Sequence, residues 1–165
     1  MEPRGPGALV RDRRPASKGP GVRISLTLSL PSAPSTLPFV RHLTAAALGE
    51  LGVAPSSIDD VALALTEAVA NVVKHAGADA GYEVRLVLDD HVCEICVADR
   101  GRGFDPALIG TAMAPPGAER GRGMALMAAV VDSVCFESQP ADGTVVRLVK
   151  DLELRRDGLL DRLLR

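Results

Sequence analysis

Residues Asp59–Ala76 read DDVALALTEAVANVVKHA, and two patterns run through them at helical spacing. Val61, Leu65, Ala68 and Val72 form an apolar stripe. Glu67, Asn71, Lys74 and His75, at intervals of four, seven and eight from the first, share a polar face. Ser57 precedes the run with Asp60 three positions on, a short relative of a capping box, and Gly77 supplies a stop. The spacing predicts an amphipathic helix with its stripe on a core. Taken alone, the polar face says no more than that a surface helix is solvated.

On the N-terminal side, Leu37, Val40, Leu43, Ala47 and Leu48 make a second helical pattern that Gly52 ends. Before it, VRISLTLSL alternates, placing Val22, Ile24, Leu26, Leu28 and Leu30 on one face of a half-buried strand. On the C-terminal side, Tyr82–Leu88 and Val92–Ala98 alternate and are joined like a hairpin by Asp89, Asp90 and His91. Gly101–Arg120 has no sustained period and reads as a functional loop or lid. Met124, Met127, Ala128, Val131 and Val134 then mark a third helix with Gly121 and Gly123 at its N-terminal edge. Strands at Cys135–Ser138 and Thr144–Lys150, around a turn at Asp142 and Gly143, complete the pattern. The order β, α, α, β, β, α, β, β predicts an α+β fold: a two-layer sandwich with helices on one face of a mainly antiparallel mixed sheet.

At 165 residues and 47% apolar content the chain suits one core. Residues 1–20, rich in Pro, Gly and Arg, read as a disordered basic tail, residues 21–151 as the domain, and residues 152–165 as a short C-terminal tail. That tail could form a short amphipathic helix, either packed on the domain or meeting a partner. The net charge of −2 gives no field for nucleic acid or an anionic membrane, and 2% aromatics without Trp remove the stacking platform of a single-strand binder. Three cysteines make no disulfide framework. Cys93 and Cys96 have CxxC spacing inside a strand pattern, where residues three apart point to opposite faces, so core packing is expected over a metal or redox site. With no run of 18 apolar residues and no apolar leader, a cytoplasmic protein is expected.

Three further segments carry glycines. Asp99-Arg100-Gly101-Arg102-Gly103, followed by Phe104-Asp105-Pro106, would let backbone pass close to a ligand, though it fails as a dinucleotide fingerprint. Gly121-Arg122-Gly123 opens a helix, where free N–H groups can cradle phosphate and Arg122 adds charge. Gly143-Thr144 heads the last strand. Each alone suits a turn or a flexible helix start.

In order, the polar helix face and these three segments resemble the N box, the two glycine boxes and the terminal Gly-Thr of the GHKL, or Bergerat-fold, ATPase superfamily. Within it the chain is most similar to the small bacterial anti-sigma-factor serine kinases: the helix reads E-A-x-x-N-x-x-x-H, the first glycine box runs on into GFDP, and the lid is short. The resemblance covers about Val22–Asp151. It implies that Asn71 holds Mg²⁺ through its carboxamide oxygen, and that Asp99 accepts the adenine amino proton with Thr144 nearby and Gly101 leaving space for the base. It further implies that Gly121, Gly123 and the Met124 amide cradle the phosphates under a lid at residues 107–120, with Gly103 and Arg122 in the same ATP site. Glu67 would be the general base, and Lys74 and His75 would either reach the phosphates or stay solvated. The implied function is an ATP-dependent serine/threonine kinase that binds a sigma factor and phosphorylates a STAS-type antagonist, working as a homodimer with partner contacts near the first helix. The alternative is a catalytically silent ATP-binding regulator; a simple ATP hydrolase ranks third. The loop with Pro115 and Pro116 is shorter and less polar than a histidine-kinase lid, and Ala125 stands where many relatives continue with a third small or glycine residue. No phosphoacceptor-histidine hairpin precedes the domain in this sequence, so a complete sensor histidine kinase is not expected.

Overall fold

The computed structural model describes residues 21–75, 80–99, 101, 119–139 and 143–165. The tail over 1–20, Gly103 and all but the end of the expected lid lie outside the described residues.

Among the described residues five strands, β1 (Arg23–Pro31), β2 (Gly81–Asp89), β3 (Val92–Asp99), β4 (Ser133–Gln139) and β5 (Gly143–Asp151), form one sheet in the order β1-β2-β3-β5-β4. Among the described residues four helices accompany them: α1 (Thr36–Glu50), α2 (Pro55–His75), α3 (Glu119–Val130) and α4 (Leu159–Leu163). The architecture is the expected α+β sandwich. Every described pairing is antiparallel, so no parallel pair makes the sheet mixed. The reason is that β5 turns back from β4 and inserts beside β3, running against both neighbours. No described helix is long and apolar enough to cross a membrane.

Alternation decides which face is covered. Tyr82, Val84, Leu86 and Leu88 of β2, Cys93, Ile95 and Val97 of β3, and Val146 and Leu148 of β5 are buried under the helices. The opposite face carries Glu83, Arg85, Glu94, Cys96 and Arg147, with Arg147 Nε 3.6 Å from Glu94 Oε1. Cys93 is therefore core and Cys96 lies on the far face, as residues three apart in a strand must.

The long helix α2 runs down the middle of the layer between α1 and α3. Its expected stripe is buried in full, together with Ala64 and Val69. Its start differs from expectation: Pro55 is the first helical residue, where its missing N–H costs nothing, and the Ile58 amide already donates to the Ala54 carbonyl. Ser57 sits inside the first turn, and its Oγ accepts the Glu153 amide at 2.9 Å instead of capping the helix. In α1 the buried line is Thr36, Val40, Thr44 and Leu48, so a threonine takes the place that the apolar pattern gave to Leu43 and Ala47.

The C-terminal segment packs on the domain. The Leu152 amide donates to the His91 carbonyl, Val53 bridges Leu154, and the Arg155 amide donates to the Gly52 carbonyl. Leu160, fully buried, then anchors α4 against the turn between α1 and α2.

Candidate functional site

Gly123 is where two helices meet the polar face. A β-carbon placed on it would stand 2.7 Å from Glu67 Oε2 and 3.9 Å from Asn71 Oδ1. Only a glycine lets α3 approach α2 this closely without displacing the carboxylate. The helix starts at Glu119, two residues before Gly121, so the amides without an intrahelical acceptor end at Gly121. Gly121 closes that open turn, and Arg122, Gly123 and Met124 fall just beyond it. Free amides at a helix start favour an anion, and the Glu67 and Asn71 oxygens face Gly123, two residues past Gly121. Arg122 is exposed, whereas the Met124 side chain packs towards the core.

The other end of the site is built on β3. Asp99, the last residue of that strand, points to the helix-covered face and is 8% exposed. The Gly101 amide donates to its Oδ1 at 2.7 Å, and Thr144, its register partner on β5, adds a second backbone hydrogen bond. Burial holds the Asp99 carboxyl above the usual carboxylate range, with those two amides and the nearby His75 pulling the other way. A nearly buried acceptor, fixed by two amides at the end of a strand, suits a ligand that brings its own N–H donor.

The α2 face joins the two ends. Glu67 and Asn71 meet Gly123, and His75 at the last turn is close enough to bear on Asp99. Lys74 is exposed on the same turn. Among the described residues no group of three or more His, Cys, Asp or Glu side chains could hold a metal ion.

Against known families, residues 30–150 match the model of the histidine kinase-like ATPase domain. The chain belongs to the histidine kinase-like ATPase family. Within the family its relatives include the serine-protein kinase RsbW of Bacillus pumilus, 28% identical over 144 residues, covering 79% of this chain and 88% of that protein. The anti-sigma F factor of Clostridium acetobutylicum is 33% identical over 127 residues, covering 72% and 87%. These similarities place the chain in the family's anti-sigma-factor kinase branch. A solved structure of the RsbU and RsbW domains of a Mycobacterium tuberculosis protein superposes with a TM-score of 0.61 at 25% identity over 78% of this chain. The chain spans about a third (32%) of that longer protein.

Some neighbours of the site carried no signal in the sequence. Tyr82, the one tyrosine, lies directly opposite Asp99 across β2 and β3. Its hydroxyl donates to Thr36 Oγ1 at 2.7 Å, and Thr36 in turn donates to the Ala33 carbonyl at 2.6 Å, tying the Asp99 end to the start of α1. Strand alternation shows that Tyr82 points inward, but only the register between strands places it beside Asp99.

Proposed function

We propose that this chain is an ATP-dependent serine/threonine kinase that acts as an anti-sigma factor and phosphorylates a STAS-type antagonist. The observation that carries the reading is the close approach of Gly123 to Glu67 and Asn71, which puts a carboxylate and a carboxamide oxygen at an anion-favouring helix start. The relatives named serine-protein kinase and anti-sigma F factor support the same class.

Bound Mg-ATP supplies the phosphoryl group that is transferred. Asp99 accepts the adenine amino proton, beside Thr144 and Gly101, and rejects guanine, which offers an acceptor there and would leave the carboxylate unpaired. The open start of α3 at Gly121 cradles the phosphates, with Arg122 adding charge, Gly123 leaving room beside Glu67, and Gly103, Lys74 and His75 completing the site. Asn71 Oδ1 is a hard oxygen ligand of the kind Mg²⁺ takes, and with no acidic cluster among the described residues the phosphates and water would complete its shell. Glu67 accepts the proton of the attacking serine or threonine hydroxyl. The chain works in the cytoplasm as a homodimer, with the sigma factor bound near α1, where Phe39 is exposed.

A regulator that only binds ATP would use the Asp99 end and would have no need of a carboxylate against Gly123, which favours the kinase. The test is incubation with Mg-ATP and a panel of STAS-domain proteins, following phosphate incorporation for wild type, Glu67→Ala and Asn71→Ala. Transfer that is lost in both variants supports the kinase. ATP binding without transfer to any candidate turns the reading into the silent regulator, and no ATP binding overturns the site.

A further inference from the structure

Lys150 is the last inward-facing residue of β5, and its side chain is mostly covered. Its Nζ donates to Asp60 Oδ2 of α2 at 2.8 Å and to the Val130 carbonyl of α3 at 2.8 Å. Val130 ends α3, so that carbonyl has no amide one turn further on and sits at the negative end of the helix dipole. One side chain from the sheet thus joins two helices.

The placement along those helices gives the join its meaning. Seven residues separate Asp60 from Glu67 on α2, and seven separate Gly123 from Val130 on α3. Both are two turns, about 10 Å. Because Asp60 and Val130 share Lys150 while Glu67 meets Gly123, the helices run antiparallel and in step, pinned at one end by the ammonium and touching at the other through the glycine. Lys150 also lies six residues along β5 from Thr144, the register partner of Asp99, which is about 20 Å of strand. It is too remote to touch a base held at Asp99.

The geometry assigns Lys150, with Asp60, a positioning role: it fixes the offset between α2 and α3 that brings the phosphate-binding start of α3 against Glu67 and Asn71. This rests on the nucleotide reading of the site, yet it concerns a clamp that exists without nucleotide. Slippage of α3 by a fraction of a turn would carry Gly123 away from Glu67 and put a bulkier neighbour there, while the Asp99 end, on β3, would be untouched.

The test uses the full chain as wild type, Lys150→Met, Lys150→Arg and Asp60→Asn. Lys150→Met keeps most of the aliphatic stem and removes the charge. Binding of Mg-ATP and of adenosine is followed by NMR titration, and amide hydrogen exchange of residues 121–130 is measured without nucleotide. Lys150→Met should weaken Mg-ATP about tenfold or more while adenosine changes by less than about twofold, since misplacement acts only on the phosphate end. The same variant should speed exchange along α3 but not along α1, and Lys150→Arg should recover most of both effects. Asp60→Asn carries the comparison if Lys150→Met does not fold. Equal losses for both ligands, or α3 exchange matching wild type, overturn the positioning role. If wild type binds neither ligand, the ATP reading fails, and the exchange result alone decides the clamp.

Discussion

Gly123 approaches Glu67 so closely that a single methyl group at Gly123 would stand 2.7 Å from the Glu67 carboxylate oxygen. The obstructing atom is the end of a flexible side chain, so the carboxylate can swing aside and α3 can stay in place. Alanine also suits a helix better than glycine by up to about 1 kcal/mol. Gly123→Ala should therefore leave thermal stability unchanged or slightly raised. Phosphate transfer should fall by about a hundredfold, because a displaced base no longer meets the attacking hydroxyl. Thermal unfolding beside phosphate incorporation checks both halves; a variant that loses stability and activity together would mean that the glycine serves packing alone.

Asp99 makes the opposite trade. Burial holds its carboxyl above the usual range, so the folded state binds that proton more tightly than the unfolded chain does. Stability is therefore lost as pH rises from the unfolded carboxylate value through the raised folded one, and the penalty is fully present at neutral pH. Asp99→Asn should raise the urea midpoint at pH 7, with the gain shrinking as pH falls towards 4. The same change should weaken ATP by roughly tenfold to a hundredfold, the worth of a charge-assisted hydrogen bond. Equal urea midpoints for wild type and variant across that pH range would place Asp99 in an ordinary solvated setting.

Most of the fold was legible where period and chemistry agreed. In α3 they did not, since the expected stripe ran on through Val131 and Val134, whereas the helix ends at Val130, Val134 lies in β4 and Ala128 is exposed. Alternation in β1, β2 and β3 and the Val61–Val72 stripe in α2 recovered both the elements and their buried faces, since burial on one side is what creates the period. Ser57 and Asp60 misled for a physical reason: their spacing fits a cap, but the C-terminal segment claims the Ser57 oxygen and Lys150 claims Asp60. Both partners come from about 90 residues further along the chain, and no local rule reaches them. The candidate site divides in the same way. Glu67, Asn71 and His75 were visible because one helix carries all three, whereas Tyr82 beside Asp99 and Gly123 against Glu67 depend on strand register and helix offset.

The thiols should react in the order of their surroundings. Cys135 is exposed on edge strand β4, Cys96 is half-buried on the open sheet face, and Cys93 is enclosed in the core, its thiol pushed up to about 12 by burial, with Glu94 adding to the effect. Only the thiolate attacks, so at pH 8 a disulfide reagent should label Cys135 quickly, Cys96 more slowly and Cys93 only after unfolding. Burial also raises the Cys96 thiol, although Arg85 and Arg147 oppose the shift. Mass spectrometry of the native and urea-treated protein reads the order directly. Rapid native labelling of Cys93 would show that the core opens between the sheet and the helices.

The C-terminal segment offers a sharper contrast between two leucines three residues apart. Leu160 is fully buried against the turn between α1 and α2, while Leu163 is 52% exposed. Leu160→Ala should cost about 2–5 kcal/mol, the range for an emptied core leucine, and Leu163→Ala should stay within about 0.5 kcal/mol. Gly52 is the other half of the contact. Its φ of +86° is a left-handed conformation, and a β-carbon there would come within 2.6 Å of the Gly158 Cα, a backbone atom that cannot step aside. Gly52→Ala should therefore destabilise on both counts and release the tail as well, exposing the peptide bonds around Arg155 to protease. Chemical denaturation and limited proteolysis of the three variants separate the possibilities. If Leu160→Ala and Leu163→Ala cost the same, α4 does not hold the domain, and its leucines are free to serve a partner.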